Sequence, residues 1–554
     1  MPHGDVSTQH QVMDPAHRVT LEAAAETIRH RTYWSPFPEH PRAYGGDGGA
    51  AFDALRDRRF ELGQPGADGW TGGEISPYGF PLGIEYAHHD PDVLLPAMRA
   101  ALPAWRAAGP LTRALTCVEI LARINGRTAQ FAHAVMHTTG QAYPMALQAG
   151  GSHAQDRALE ALAYAYAEQT RVPGAATWEK PQGRRGTARL DLEFTPVPRG
   201  IALLIGCHTF PTWNGYPGLF ASLATGNPVL VKPHPGAVLP LALTVRVARE
   251  TLAEAGFDPN LVCLAPEYPG EGSARDLAVR PEVRIIDYTG SSAFGDWLET
   301  TARQAAVFTE KAGVNTVLID STAAYRGMLT NLAFSLTLYS GQMCTTPQNL
   351  LIPRDGIATD EGHKTHEQVV GDLAAAVTAL LSDEKRAAGL LGALVDDRVA
   401  DRLAAAAEAG DVLLASRALT HPEYPAATVR TPLIVAARDR AAALREWFGP
   451  ISFVVPVDSA EDALTLLRRT IRDHGAMTVL GHTTSPEVEA GLVAACLDEC
   501  AQLSLNLTGP VHVNQTAAFA DLHGSGGNPA ANAALVDGAY ITPRFRTVEV
   551  RRGA

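Results

Sequence analysis

The chain lacks the features that would tie it to nucleic acid or to a membrane. It carries 59 acidic against 46 basic residues, and this net charge of −13 argues against nucleic acid or an anionic lipid surface as the main partner. Residues 1–18 contain no apolar run of the kind that a secretory signal needs. The uncharged stretch 201–231 is interrupted by proline, glycine and asparagine, so we expect a buried strand, turn and helix instead of a membrane span.

Cysteine is also scarce. The chain has six cysteines, and their scattered positions predict no disulfide framework. Cys496 and Cys500 fall on one face of a predicted helix, but a second ligand pair for zinc is missing and core packing explains them better. We therefore predict no metal and expect a reduced, cytoplasmic protein.

Length and composition indicate a large globular protein. At 554 residues the chain exceeds what one hydrophobic core usually holds, so two or more domains are expected. Residues 1–90 are rich in proline, glycine, histidine and arginine, and we predict an N-terminal extension that packs on the main body. Helical periodicity begins near residue 91 and continues to about 169.

Short apolar runs then alternate with helical segments, which is typical of parallel strands covered on both faces. The first group predicts a doubly wound nucleotide-binding sheet. It consists of residues 200–206, 228–232, 261–264 and 283–288. We assign residues 91–181 and 201–309 to this cofactor-binding domain.

A second α/β stretch begins at Glu310 and predicts a catalytic domain over residues 310–510. Its candidate strands are residues 316–319, 453–457 and 477–480. Two further segments, 182–200 and 540–554, contain the alternating pattern of strands. Isolated strands bury little surface, so we expect these two to pair with each other or with another subunit, as an oligomerisation appendage.

Cys344 and Glu310 are the strongest candidates for catalysis. Cys344 lies among glycine and small polar residues in segment 339–344, which leaves a thiolate the access that nucleophilic attack needs. Glu310 lies 34 residues earlier and is a candidate base for moving water onto an acyl-enzyme. Either residue alone is weak evidence, because most cysteines are buried apolar groups and most glutamates are solvated.

Three further motifs point to a bound dinucleotide. Gly290, Ser291 and Gly295 form a glycine turn between a predicted strand and helix, where backbone N–H groups favour a pyrophosphate. An ordinary tight turn fits that motif equally well. Lys232 ends a predicted parallel strand, at the edge where nucleotides bind, although a solvated strand end is as good an explanation. The third motif is Glu446–Pro450, and a simple turn would explain only its Gly-Pro.

Taken in order, these segments resemble the aldehyde dehydrogenase superfamily. The resemblance covers residues 95–554 in one collinear register, including the spacing of Glu310 and Cys344. It implies an α/β aldehyde dehydrogenase fold that forms a homo-oligomer, with Cys344 as nucleophile and Glu310 as deacylation base. It also implies that Lys232 contacts the adenosine ribose, Glu446 the nicotinamide ribose and Phe448 the nicotinamide.

Within the superfamily, the chain is similar to the PaaN-type proteins of phenylacetic acid degradation. This closer resemblance rests on the long extension, on Trp34–Pro38 and on the sequence of residues 339–349. It resembles the dehydrogenase half of that pathway's bifunctional ring-opening protein, and no hydratase domain is expected. The implied substrate is 3-oxo-5,6-dehydrosuberyl-CoA semialdehyde, a CoA thioester.

Two departures from the family pattern affect these expectations. Where the family places an oxyanion-binding asparagine before Phe-Pro, this chain has Thr209; Asn214 would fit only in a shifted register, so we predict Thr209 at the oxyanion. Three residues after Lys232, where NAD-preferring members often have glutamate, stands Pro235. Without that carboxylate we expect NADP to be preferred and Lys232 to pair with its 2′-phosphate, with NAD as the other cofactor.

The sequence therefore predicts oxidation of an aldehyde to an acid through a Cys344 thioester. Two alternatives stay open. A CoA-acylating enzyme would resolve the thioester with a thiol, although Glu310 argues against it. A non-catalytic structural homologue is suggested by Thr209, although the retention of Cys344, Glu310 and Glu446 argues against that.

Overall fold

Two sheets of mainly parallel strands organise the computed structural model, which describes residues 14–311 and 313–553. The α/β architecture predicted from the sequence is confirmed. Residues 1–18 were expected to hold no secretory signal, and residues 1–13 of this segment lie outside the described residues. In the described ranges, no helix combines the length and apolar character that crossing a membrane requires.

The first sheet has five parallel strands in a doubly wound order. Across the sheet they run Val262–Leu264, Val229–Lys232, Ile201–Ile205, Val283–Gly290 and Ala306–Lys311. The strand order reverses between Ile201–Ile205 and Val283–Gly290, and ligands of such sheets bind in the crevice beyond the carboxyl ends at this point. Of the two strands that border the crevice, Ile201–Ile205 is apolar and buried throughout, and Val283–Gly290 is buried except at Arg284 and at its last two residues.

Helices cover both faces of this sheet. They are Pro91–Ala107, Gly109–Asn125, Thr128–Thr139, Ala154–Thr170, Pro211–Ala224, Leu239–Glu254, Ser273–Ala278 and Ser292–Thr301. The helix Pro91–Ala107 begins where the Asp90 side chain accepts from the backbone of Asp92 and proline takes the first helical position. A π-helical turn, Gln148–His153, precedes the helix Ala154–Thr170, and such turns are frequent at functional sites.

The second sheet has seven strands. They run Gly410–Leu414, Leu433–Ala437, Ile451–Val457, Asn349–Pro353, Thr316–Ile319, Thr478–His482 and Gln502–Leu505. Only the first pair is antiparallel. Its main helices are Tyr325–Thr337, His366–Leu380, Glu384–Leu391, Asp397–Glu408, Ala460–His474 and Pro486–Asp498.

A third, exposed sheet joins distant parts of the chain. Strand Phe545–Gly553 pairs antiparallel with Thr187–Pro198, so the two segments predicted as an appendage do pair with each other. Ala175–Pro181 adds a third strand that the sequence assignment had given to the cofactor-binding domain. The oligomerisation role of this sheet and the limits of the domains stay predictions.

The N-terminal extension packs against the first sheet and forms hydrogen bonds with its strands and helices. Gln64 donates to and accepts from the backbone of Leu264, which caps the edge strand of the five-stranded sheet. The buried carboxylate of Glu74 accepts from the backbone N–H groups of Val238 and Leu239, at the start of a helix. These contacts replace water at a sheet edge and at a helix terminus.

Candidate active site

The loop that carries Cys344 is held in an unusual backbone conformation. Tyr339, Ser340 and Gly341 have φ values of 52°, 49° and 62°, three left-handed residues in succession. Such a conformation costs free energy for residues with a Cβ and persists only where the surroundings enforce it. Here the Ser340 hydroxyl donates to the carbonyl of Leu391, at 3.1 Å.

Asn315 fixes the other side of the loop. Its amide nitrogen donates to the carbonyl of Cys344, at 2.7 Å, and to that of Thr346, at 3.0 Å. Its oxygen accepts from the backbone N–H groups of Met477 and Thr478 in the second sheet. All hydrogen-bonding groups of this amide are used, so the backbone of the nucleophile loop has one defined position.

Glu310 lies at the carboxyl end of the strand Ala306–Lys311 and is 1% exposed. A segment near the C-terminus runs beside it, since Glu310 forms an antiparallel bridge with Ala531 and the Lys311 N–H donates to the carbonyl of Ala530. The strand end therefore cannot move without this segment.

The two catalytic candidates lie together and are joined by a residue that the sequence did not single out. Cys344 Sγ, a carboxylate oxygen of Glu310 and a ring nitrogen of His523 lie within 4.8 Å of one another. His523 Nε2 is 3.0 Å from Glu310 Oε1 and 3.7 Å from Cys344 Sγ. The only local signal was a histidine before the glycine-rich residues 524–527, which by itself predicts nothing. These three donors would also suit zinc, and the prediction of no metal stays untested.

The electrostatics of this group favour a neutral thiol beside a carboxylate at rest. Burial raises the pKa of the Cys344 thiol well above its ordinary value, and the negative charge of Glu310 adds to this. Burial acts against ionisation of Glu310 as well, but His523 and the more distant Arg157 bring the pKa of that carboxyl below its usual value. The nucleophile is therefore formed only when the thiol proton moves to a neighbouring base.

Asn214, on the helix Pro211–Ala224, forms a hydrogen bond with the carboxylate of Glu310, whereas Thr209 lies just before this helix. The Asn214 amide nitrogen donates to Glu310 Oε2, at 2.6 Å. The backbone carbonyl of Thr209 accepts a hydrogen bond from the Gln141 side chain, at 2.8 Å. The oxyanion role of Thr209 stays a prediction, whereas the residue set aside in the shifted register is the one that holds the base.

A buried cation lies behind this group. Arg157, on the helix Ala154–Thr170, stacks over the ring of Trp213, 4.1 Å from its centroid. Trp213 in turn meets the His523 ring edge to face, at 4.6 Å. Arg157 is 1% exposed, so its charge is weakly screened and favours negative charge on Glu310.

The expectation that Lys232 pairs with a 2′-phosphate stays a prediction, and the structure gives this lysine a carboxylate partner. Its Nζ lies 2.6 Å from Glu267 Oε1, and both side chains are less than 10% exposed. Glu267 follows the neighbouring strand Val262–Leu264, and its other oxygen accepts from the backbone and hydroxyl of Ser273. The carboxylate beside Lys232 is therefore that of Glu267, which follows a neighbouring strand, although position 235 of its own segment is a proline.

The glycine turn lies at the crevice of the first sheet. Gly290 ends the strand Val283–Gly290 and Ser291 precedes the helix Ser292–Thr301. A Cβ on Gly290 would lie 2.4 Å from the Tyr288 hydroxyl, and one on Gly295 would lie 2.6 Å from Lys311 Cδ. Close packing against the Tyr288 and Lys311 side chains favours both glycines, and a pyrophosphate role at Gly290, Ser291 and Gly295 stays a prediction beside this structural explanation.

Glu446 and Phe448 reach the same small cavity as Cys344. The cavity is lined by all three residues, together with Gly341 and Gln348 and their neighbours. The Phe448 carbonyl accepts from Arg402 Nε, at 2.8 Å. The residues predicted to hold a nicotinamide and its ribose thus lie beside the predicted nucleophile. The Glu446 carboxylate is an acceptor for ribose hydroxyls and the Phe448 ring is an apolar surface, so these residue types suit that group.

The arrangement can perform thiol-based oxidation beside a nucleotide. A cysteine and a buried carboxylate lie in contact, at the crevice of a doubly wound sheet that supplies a lysine and a glycine turn. The first sheet carries Lys232, the glycine turn and Glu310, and Cys344 lies in the loop before the strand Asn349–Pro353 of the second sheet.

Comparison with known proteins agrees with this reading of the site. A model described as the aldehyde dehydrogenase family matches residues 85–474, more than half of the chain. The crystal structure of an NAD-dependent aldehyde dehydrogenase from Burkholderia multivorans is 50% identical, with a TM-score of 0.96 over 99% of this chain and 100% of that one.

Curated relatives are more distant. A putative aldehyde dehydrogenase family 7 member A1 homolog of Caenorhabditis elegans is 26% identical over 302 residues, 52% of this chain and 53% of its own. A 3,4-dehydroadipyl-CoA semialdehyde dehydrogenase of Aromatoleum evansii is 25% identical over 339 residues, 56% of this chain and 62% of its own. The chain therefore spans 53% and 62% of the lengths of these two relatives.

Proposed function

The chain belongs to the aldehyde dehydrogenase family, and from that premise we propose that it oxidises an aldehyde to a carboxylic acid through a thioester on Cys344. The observation that carries the proposal is the contact of Cys344, Glu310 and His523 within 4.8 Å of one another. A thiol with an adjacent base is the arrangement that nucleophilic catalysis requires.

In the proposed reaction Glu310 takes the thiol proton and Cys344 Sγ attacks the aldehyde carbon, forming a thiohemiacetal. A dinucleotide held beside Cys344 by Glu446 and Phe448 would supply the acceptor for the hydride that this carbon loses, which would leave a thioester on Cys344. Glu310, once ionised again, takes a proton from water as its oxygen attacks the thioester. The acid leaves and the thiol is restored.

We propose NAD as the cofactor. The Lys232–Glu267 ion pair supports this, because the carboxylate occupies the lysine and repels the added charge of a 2′-phosphate. A ribose with free hydroxyls instead finds an acceptor in Glu267 and a donor in Lys232. The NAD-dependent relative of known structure is consistent with this choice.

We propose a CoA-linked semialdehyde as the substrate, with 3-oxo-5,6-dehydrosuberyl-CoA semialdehyde of phenylacetate degradation as the specific candidate. Support comes from the PaaN-type features of the sequence and from the relative named for 3,4-dehydroadipyl-CoA semialdehyde. A cytoplasmic homo-oligomer, assembled through the strand Phe545–Gly553 and its neighbours, belongs to the same proposal.

Steady-state assays of the purified protein test the proposal. We expect reduction of NAD with CoA-linked and short aliphatic semialdehydes, the same rate with and without free CoA, and no turnover by Cys344→Ala. A rate that requires free CoA would favour the acylating alternative, for which the buried base Glu310 has no evident use. Absence of turnover with every aldehyde would favour a structural homologue.

A further inference from the structure

His523 contacts both reacting side chains through one nitrogen. Nε2 lies 3.0 Å from Glu310 Oε1 and 3.7 Å from Cys344 Sγ, and the side chain is 2% exposed. The other ring nitrogen, Nδ1, is buried without a hydrogen-bond partner among the described residues. A histidine that only fills the core has no need to contact both proposed catalytic groups through one ring nitrogen.

We propose that His523 is a catalytic hydrogen-bond donor, whose Nε2–H bond shifts from Glu310 to Cys344 when the thiol proton passes to the carboxylate. This inference rests on the proposed function, since it concerns the same thiol chemistry. It assigns to the C-terminal segment a residue that acts directly on the reacting sulfur.

The contacts define which nitrogen carries the proton. An ionised carboxylate can only accept, so the imidazole nitrogen that faces Glu310 must donate, and Nε2 holds the hydrogen. Nδ1 has no hydrogen-bond partner among the described residues, so Nε2 alone connects His523 to the reacting groups. At rest Nε2 is a donor and has no lone pair with which to receive the thiol proton.

Proton transfer moves the negative charge between its two possible acceptors. The S–H bond of Cys344 breaks and an O–H bond forms on Glu310, so the thiolate gains the charge that the carboxylate loses. A hydrogen bond to a charged acceptor is stronger than one to a neutral acceptor, and the Nε2–H therefore turns to sulfur. After the thioester has formed, loss of the Glu310 proton to water returns the bond to the carboxylate.

Other charged and titratable groups near the thiol do not replace this contact. Arg157, on the helix Ala154–Thr170, influences the sulfur through its charge. Burial raises the pKa of the Cys207 thiol to about 12, so this thiol stays neutral, and it lies 3.7 Å from Asn214 Oδ1. Asn214 is bonded to Glu310 Oε2, on the other carboxylate oxygen. Among these groups, only His523 bonds Glu310 and also lies beside Sγ.

The rate at which iodoacetamide alkylates Cys344 measures thiolate formation without aldehyde or cofactor. It would be followed from pH 6 to 10 by mass spectrometry, in chelator, so that no metal occupies the three donors. His523→Leu removes the donor, and we expect alkylation about tenfold slower at neutral pH and a profile moved to higher pH. His523→Gln keeps an amide N–H near the Nε2 position, and we expect a rate within about threefold of wild type.

His482 provides the matched control. It is fully buried, with both ring nitrogens unpartnered among the described residues, and it lies on the strand Thr478–His482 of the second sheet. His482→Leu should leave the alkylation profile unchanged. Thermal unfolding of every variant separates a local effect from loss of fold, and His523→Asn, whose amide stops short of Nε2, replaces His523→Leu if that variant does not fold.

Two results would overturn the proposal. One is a wild-type alkylation profile in folded His523→Leu. The other is a folded His523→Gln as slow as His523→Leu, which would show that the imidazole carries a proton and does not merely donate. Wild-type protein that alkylates as expected but oxidises no aldehyde would contradict the proposed function alone.

Discussion

The amide nitrogen of Asn214 donates a 2.6 Å hydrogen bond to Glu310 Oε2, so the catalytic carboxylate is held from the opposite side to His523. The residue stands on the helix Pro211–Ala224, which follows the strand Ile201–Ile205 of the same five-stranded sheet that carries Glu310. Both oxygens of Glu310 are thereby bonded, and its orientation depends on two elements far apart in the sequence.

Replacing Asn214 should therefore impair the base. For Asn214→Ala we expect a fall of about ten- to a hundredfold in the rate of acid formation, since one hydrogen bond to a charged group is lost. Thr209→Val is the matched comparison, because it removes the hydroxyl predicted to serve the oxyanion and leaves Glu310 untouched. A larger loss for Thr209→Val than for Asn214→Ala would restore the sequence-based assignment.

Glu310→Gln should separate hydride transfer from deacylation. Glutamine cannot take a proton from water, so the thioester should accumulate after one turnover. Loss of the base for the thiol proton should also slow the burst of NADH, but less than it slows deacylation. We therefore expect a burst that still approaches one NADH per active site, followed by a steady rate reduced at least about a hundredfold. Stopped-flow absorbance measures both phases, and an equal loss of burst and steady rate would mean that Glu310 acts mainly on the thiol.

Glu267 should determine cofactor preference. In Glu267→Gln the Lys232 ammonium loses its charged partner and can pair with a 2′-phosphate, so the ratio of NADP to NAD affinity should rise about tenfold or more. Glu271→Gln is the control, since that carboxylate lies four residues away on the exposed surface and contacts His88. Titration of both cofactors by protein fluorescence gives the ratio, and an unchanged ratio in Glu267→Gln would place phosphate discrimination elsewhere.

The left-handed segment before Cys344 should tolerate no side chain at Gly341. A Cβ there would lie 2.4 Å from the carbonyl oxygen of Gly449, at a φ of 62°. For Gly341→Ala we expect a loss of about 2 kcal/mol or more in unfolding free energy and nearly all activity. Gly371→Ala, on a helix with open space around its Cβ, should instead be neutral or slightly stabilising, as chemical denaturation would reveal.

Local patterns determined much of this protein. The runs 200–206 and 283–288 predicted buried parallel strands, and the structure contains them as Ile201–Ile205 and Val283–Gly290. Cys344 and Glu310 were also singled out from the sequence, because they lie in short segments whose composition and spacing resemble the family. Such features can be recognised from the sequence because the periodicity of a strand and the composition of a loop depend on residues that are close together in the chain. The structure brings the two side chains together, and their catalytic roles stay proposals.

The partners of these residues were decided only by tertiary structure. His523 meets Glu310 across 213 positions, and no periodic pattern marks a histidine in an irregular segment. Glu267 reaches Lys232 from the end of another strand, 35 positions away, so the absence of a carboxylate at Pro235 does not leave that lysine without a charged partner. In a parallel sheet the carboxyl ends of neighbouring strands lie at the same edge. A carboxylate that is absent after one strand can therefore be supplied by a residue that follows the adjacent strand.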